Sequence, residues 1–340
     1  MRIAVDVLGA DHGPQEIVRG VAAALNTDFA PDDLLLVGPE PPIRETLEAE
    51  GVSECPEILH TEEFVPSHQS PVEGLRRNRK ASVGLCVKAV REGAADGLLS
   101  FGNTGAAVAS ATMGLGMLPG LRRPGIAVVL LGASGPFVML DAGANPTPKP
   151  LHLYHYGHMG AAYSNAILGV EKPRVGLLNI GGEAGKGSLQ EKEVYQMFAN
   201  SSLNFRGNVE GTELFHGVAD VMVTGGFVGN MILKVVEGFT EYLSRHLSGG
   251  GSSGQSGEDD VRGGVRRLLG AADYAEVGGA ILLGVNGIVL IGHGRSEARA
   301  VAPALRSARK DIQNGVNRNI MESLGRGQTK GSQDQTQGHS

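Results

Sequence analysis

Short aliphatic runs alternate along the chain with longer stretches in which apolar residues recur at helical spacing. The runs predict strands over 3–7, 34–37, 57–60, 97–101, 126–131, 137–141, 174–180, 218–223 and 287–291. The helical stretches cover 14–25, 41–50, 71–92, 104–117, 150–168, 187–200, 228–247 and 295–321. Several of these open on proline, which suits the first helical position. Strand–helix alternation of this kind argues for a mostly parallel sheet. The fold class is α/β, a mostly parallel sheet with helices on both faces, and its ligands sit beyond the carboxyl ends of the strands.

Two segments leave this pattern. "SGGGSSGQSG" at 248–257 reads as a flexible linker inside one α/β domain spanning 1–325. After it, 258–270 predicts a weak amphipathic helix, with Val261, Val265, Leu268, Leu269 and Ala272 at helical spacing and Arg262, Arg266 and Arg267 flanking or opposing them. The Gly-, Gln- and Ser-rich tail over 326–340 is expected to be disordered. Uncharged stretches at 97–121 and 124–140 are interrupted by "GNTG" and "GASGP", so both read as short buried elements, not membrane spans. "MRIAVDVLG" enters a strand directly and shows no leader pattern, which places the expected location in the cytoplasm.

Composition narrows the function. At 340 residues, 41% hydrophobic and 19% charged, the chain is long and apolar enough for a large folded core. A net charge of −6 disfavours broad nucleic-acid binding. The 52 glycines imply many tight turns with backbone-lined sites. Cys55 and Cys86 form no disulfide or metal pattern and suit a reducing compartment.

Seven turns carry the polar chemistry: Asp6, Asp11 and His12; Asn103, Thr104 and Gly105; Asp141 and Asn145; Asn179, Glu183 and Lys186; Asn208 and Glu210; Asn230; and Asn286 with His293. Gly102–Gly105 sits between a strand and a helix, where free amides make an anion site. "NIGGEAGKGS" approaches a Walker A loop, but Gly187 replaces its Ser/Thr and Ile180 its first glycine. Together the turns describe a polar, anion-lined cleft. No G-x-S-x-G elbow, HExxH or paired Cys/His spacing is present, nor a G-x-G-x-x-G fingerprint after the first strand. His152, His155 and His158 lack a matching carboxylate cluster and read as half-exposed packing residues.

"AVDVLGADHGP", "GNTGAAVA", "RPGIA", "LDAGAN", "RVGLLNIGGEAGKG", "GNVEG", "ADVMVTGGFVGN", "DYAEVGGA" and "LLGVNGIV…GHG" follow one another in an order that resembles the PlsX-type phosphate acyltransferases, from Met1 to about residue 310. The resemblance implies transfer of a fatty acyl group from acyl carrier protein to inorganic phosphate, giving acyl phosphate for phospholipid synthesis. It implies a cytosolic homodimer without metal or organic cofactor, in weak peripheral contact with the membrane, where a glycerol-3-phosphate acyltransferase is a further partner. The implied fold is that of phosphotransacetylases and isopropylmalate dehydrogenases.

That reaction needs a bound dianion, a stabilised oxyanion and a thiolate that can leave. On this reading Lys186 supplies a cation to the phosphate or the oxyanion, and Asn230 an amide donor. The helix start at Asn103, Thr104 and Gly105 carries the phosphate, and either His12 or His293 protonates the sulfur. Asp11, Asn145 and Asn179 are expected at the substrate, while Asp141, Asn208 and Asn286 either join them or tie turns together. Arg76, Arg77, Arg79 and Lys80 read either as a solvated helix face or as the dock for the acidic carrier. Where relatives often have Asp-Gly-Phe, this chain has Gly225-Gly226-Phe227, so no acid/base role for that aspartate transfers. In place of the longer apolar, basic helices usual in relatives, 248–270 offers only the linker and the weak helix. The rival readings are a short-chain phosphotransacylase using acyl-CoA, a decarboxylating metal/NAD dehydrogenase on the related fold, and a non-catalytic carrier-binding scaffold.

Overall fold

The computed structural model describes residues 1–248 and 278–333. Its strands are β1 (Ile3–Asp6), β2 (Leu34–Gly38), β3 (Glu57–His60), β4 (Gly97–Ser100), β5 (Gly125–Gly132), β6 (Gly135–Leu140), β7 (Arg174–Asn179), β8 (Asn204–Glu210), β9 (Val221–Val223), β10 (Ala280–Leu283) and β11 (Ile288–Ile291). They form one sheet in the order β3-β2-β1-β4-β11-β10-β5-β6-β9-β7-β8. The helices are α1 (Pro14–Leu25), α2 (Glu40–Ala49), α3 (Pro71–Arg77), α4 (Ser82–Arg91), α5 (Thr104–Gly114), α6 (Pro150–Leu168), α7 (Leu189–Ala199), α8 (Gly226–Ser248), α9 (Val301–Gln313) and α10 (Val316–Gln333).

The sheet is mostly parallel, as the alternation predicts. Its exceptions are β10, which runs antiparallel to β11 and β5, and the hairpin of β5 with β6. Strand residues feed two cores in alternation. Ile3 and Val5, Leu34 and Leu36, and Leu99 face one core with α1, α2, α6, α7, α9 and α10. Ala4, Leu35, Val37 and Leu98 face the other, with α4 and α5. Burial on both faces is why these strands read as unbroken apolar runs.

Several boundaries differ from expectation. The predicted helix over 71–92 is two helices, because Lys80 N donates to Glu63 Oε2 at 2.9 Å and Asn78 Nδ2 to the Phe64 carbonyl at 3.0 Å. These bonds hold the 78–81 turn against the 61–66 segment and out of helical geometry. Strands β8 and β10 were not predicted. β8 lies at the sheet edge with a largely polar sequence, and β10 is four residues long and begins just after a glycine pair. The last helix runs to Gln333, into the stretch expected to be disordered, since a helix anchored by buried Val316 and Ile320 extends at little cost per residue. Apart from Ser248, the expected linker lies outside the described residues, as do the helix over 258–270 and the tail beyond Gln333. Among the described residues no helix is long and apolar enough to cross a membrane.

Candidate active site

The chain leaves β1 toward β2 and β3, then returns to place β4 on the other side of β1. Such a reversal opens a crevice at the carboxyl ends of the strands. A cleft of about 530 Å³ opens where the carboxyl ends of β1, β4 and β11 meet those of the oppositely running β6 and β9, lined by Asp11, Gly102–Gly105, Ala142 and Gly143, Gly226 and Phe227, and Gly292–Gly294. β10 and β5, antiparallel to each other, also reach the cleft near their first residues, Ala280 and Ile126.

Two helix starts meet here. In α5, Asn103 Oδ1 accepts the Ala106 amide at 3.0 Å and Asn103 Nδ2 donates to the Pro66 carbonyl at 3.0 Å. The Asn103 side chain is thus a cap and a tie to the 66–69 turn, and the first-turn amides of Thr104 and Gly105 are what the helix start offers an anion. At the start of α8, Gly226 N donates to the Asn145 carbonyl at 3.0 Å. A Cβ on Gly229 would lie 1.9 Å from the Asp141 carbonyl oxygen, so α8 approaches the 141–143 turn as only glycine permits. Asn230 follows, on the cleft wall against Gly143.

Asp141 builds that wall from behind. It is fully buried, and its oxygens accept amides from Ile126 at 3.0 Å, Gly143 at 2.9 Å, Ala144 at 2.9 Å and Asn145 at 2.7 Å. Burial pushes its carboxyl up while the four amides pull it down. Asn145 donates to Tyr156 Oη at 2.7 Å and to the Pro124 carbonyl. Both side chains tie turns together and neither lines the cleft.

Among the described residues the lysine lining the cleft is Lys234, which the pattern of glycine-rich turns does not single out. Its Nζ lies 2.6 Å from His293 Nε2 and 2.9 Å from Glu237 Oε2, and all three residues line the cleft. Lys234 sits four residues beyond Asn230 on α8, and Glu237 three further, so helical spacing puts them on one face. That spacing was the available signal. Burial, then the Lys234 charge, hold the His293 imidazole below its ordinary value, and Glu237 opposes this. His293 Nδ1 accepts the Arg295 amide at 3.1 Å. Asp11 is fixed beside it, its amide donating to the Gly294 carbonyl at 2.8 Å.

Of the expected site residues, Asp11, Asn103, Thr104, Gly105, Asn230 and His293 come together in the cleft. His12 is exposed and does not line it. Asn286 lies in the turn from β10 to β11, which the antiparallel course of β10 sends to the opposite end of the sheet. The 179–188 loop follows β7, on the same side as the carboxyl ends of β6 and β9, but at the β7–β8 edge. There Asn179 Nδ2 donates to the Lys186 carbonyl at 3.2 Å, and Asn208 Nδ2 to the Glu183 carbonyl at 2.7 Å. The Lys186 ammonium faces Glu183 at 3.8 Å, outside the cleft. Arg76 and Arg77 end α3, while Arg79 and Lys80 occupy the turn after it, all four exposed. Gly105 packs against Pro71 at the start of α3, so the basic stretch belongs to the helix beside the cleft mouth. His155 and His158 are buried to 8% and 1% exposure, deeper than expected, in the packing of α6.

The chain matches the family described as "Fatty acid synthesis protein" over residues 1–319. It is 41% identical over 330 residues to the phosphate acyltransferase of Desulforamulus reducens, covering 95% of this chain and 97% of that one. With the phosphate acyltransferase of Streptococcus suis it shares 41% identity over 321 residues, 93% and 95% of the two chains. Its fold is similar to that of a phosphotransacetylase from Streptococcus pyogenes, at TM-score 0.62 and 19% identity over 92% and 94% of the chains. A branched-chain phosphotransacylase from Enterococcus faecalis gives TM-score 0.58 at 18% identity over 92% and 99%. The chain belongs to the phosphate acyltransferase family.

Proposed function

We propose that this acyltransferase moves a fatty acyl group from acyl carrier protein to inorganic phosphate in the cleft, by direct attack of phosphate on the thioester. The observation that carries the reading is the meeting of two helix starts with Asn230, Lys234 and His293 in one cleft. The first-turn amides of α5 and α8 suit a phosphate dianion. Asn230 offers a neutral donor to the carbonyl oxygen as it gains charge. Phosphate is nucleophilic at neutral pH, so no serine or cysteine nucleophile is needed. Lys186 remains a second cation, after the carboxyl end of β7, and it meets the reacting carbonyl only if the 179–188 loop swings across β9.

The carrier docks at Arg76, Arg77, Arg79 and Lys80, which are exposed at the helix flanking the cleft mouth. The protein works as a cytoplasmic homodimer with peripheral membrane contact, delivering product to a membrane-bound glycerol-3-phosphate acyltransferase. Val228, Met231, Val235, Phe239 and Tyr242 form an exposed apolar stripe on α8, the kind of face a second copy would cover. Comparing long-chain acyl carrier protein with acyl-CoA thioesters as donors tests the carrier. A higher kcat/KM with the carrier supports this reading, and a preference for short acyl-CoA gives the site to a phosphotransacylase.

A further inference from the structure

Transfer of an acyl group from a thioester to hydrogen phosphate carries a proton problem. The attacking phosphate oxygen forms its bond to the carbonyl carbon, the carbon–sulfur bond breaks, and the departing sulfur takes the electron pair. Hydrogen phosphate must lose its proton to leave acyl phosphate as the dianion, and the thiolate of a phosphopantetheine-type donor must gain one. The sum balances as one proton moved from oxygen to sulfur, with no other reactant.

The cleft holds a device of matching design. Two nitrogens 2.6 Å apart attract each other only with a single proton between them, and Lys234 Nζ and His293 Nε2 stand at that distance. An ammonium against an imidazolium would place two positive charges in contact. In one charge state His293 Nε2 donates to the lysine amine while Nδ1 accepts the Arg295 amide at 3.1 Å. With one more proton the Lys234 ammonium donates to Nε2 of a ring that carries its own proton on Nδ1, a state in which Nδ1 no longer accepts the Arg295 amide. Glu237 Oε2 accepts from Nζ in both states, at 2.9 Å, and lies 3.7 Å from His293 Nε2.

We propose, resting on the acyl-transfer reading above, that Lys234 and His293 form a proton relay that takes the proton of the attacking phosphate and delivers one to the leaving sulfur, with Glu237 as the residue that positions Lys234. The relay returns to its starting state with each turnover, because what it gives to sulfur it regains from phosphate. Burial and the Lys234 charge keep the imidazole unprotonated at neutral pH, and Arg295 adds to this while Glu237 and Asp11 oppose it. A simple phosphate-binding lysine would need neither the histidine contact nor the carboxylate.

The test uses two acyl donors with different leaving groups, an alkyl thioester of pantetheine type and an aryl thioester whose thiolate leaves without a proton. Lys234→Met is expected to lower kcat on the alkyl thioester by about 100- to 1,000-fold, the span of general acid–base catalysis. On the aryl thioester the loss should be under about tenfold, with the phosphate KM unchanged within about threefold. Glu237→Gln should show the same contrast at smaller size, with a displaced acid limb in the pH–kcat profile. Equal losses on both thioesters, or a loss that appears mainly in phosphate KM, would overturn the relay and leave Lys234 as an anion site. Absence of acyl phosphate from either donor with the unaltered protein would overturn the acyl-transfer reading itself, and the relay with it. Lys234 is half exposed, so Lys234→Met should fold. His293→Gln gives an independent second variant with the same expected contrast.

Discussion

Gly229→Ala is the sharpest local perturbation of the site. Alanine has the higher helix propensity, so in an unconstrained helix the change would add about 1 kcal/mol of stability. Here the new methyl would lie 1.9 Å from the Asp141 carbonyl oxygen and 2.9 Å from its carbon, both backbone atoms that the four amides on the Asp141 carboxylate hold in place. Reaching an ordinary contact requires α8 to retreat by about 1.5 Å. Overpacking of this kind costs about 1–3 kcal/mol, so the clash outweighs the propensity gain by up to roughly 2 kcal/mol. At about 2.1 cal/mol/K of unfolding entropy per residue, a chain of this length loses only about 1.5 °C of Tm per kcal/mol, so the variant stays folded. Asn230 and Lys234 ride on α8, and a misplacement of about 1 Å costs on the order of 100-fold in rate. Steady-state kinetics on an acyl carrier protein thioester should therefore show kcat/KM down by about 100-fold with Tm changed by no more than about 3 °C. Near-normal kcat/KM would refute the reasoning, since α8 would then tolerate the shift without consequence for the site.

Three further outcomes are expected. Asp311 is 2% exposed beside Tyr163, and burial pushes its carboxyl up to about 7, so its contribution to stability is full below pH 3.8 and declines as pH rises to about 7. Asp311→Asn should therefore gain about 2–4 kcal/mol relative to the unaltered protein between pH 4 and pH 8 in denaturant titrations, and a pH-independent difference would contradict this. Reversing Arg76 and Arg77 to Glu should raise the KM for acyl carrier protein by about five- to tenfold and flatten its salt dependence, with phosphate KM unmoved. An unchanged carrier KM would return the stretch to a solvated face. Lys186→Ala should cost less kcat/KM than Lys234→Met because Lys186 does not line the cleft, and an equal or greater loss would show that the 179–188 loop delivers it to the reaction.

The frame of the fold was legible because apolar runs buried on both faces have few other uses. Strands β1, β2 and β4 and helices α1, α5 and α6 follow directly from that pattern. β10 was not legible, and its omission had a consequence for function. A reader who sees only parallel strands places every strand-following turn at the cleft, and Asn286 at the substrate; one antiparallel strand moves it to the far end of the sheet. The candidate site was half legible for a related reason. Turn residues such as Asp11, Thr104 and Asn230 announce themselves by glycine-rich neighbours, whereas Lys234 and Glu237 sit inside a helix and look like solvated charges. Lys186 drew attention through a loop that resembles a nucleotide-binding motif. The Asn179 side chain ties this loop to its own backbone, and Asn208 of β8 ties it to the sheet edge.

The central claim is that the cleft couples thioester cleavage to attack by inorganic phosphate. Its most direct test is to incubate the protein with a long-chain acyl carrier protein, with and without phosphate, following free thiol and, by phosphorus NMR, acyl phosphate. The account requires thiol release only in the presence of phosphate, with one acyl phosphate formed for each thiol released. Thiol release at the same rate without phosphate, with fatty acid as the product, would contradict it and make the cleft that of a thioesterase.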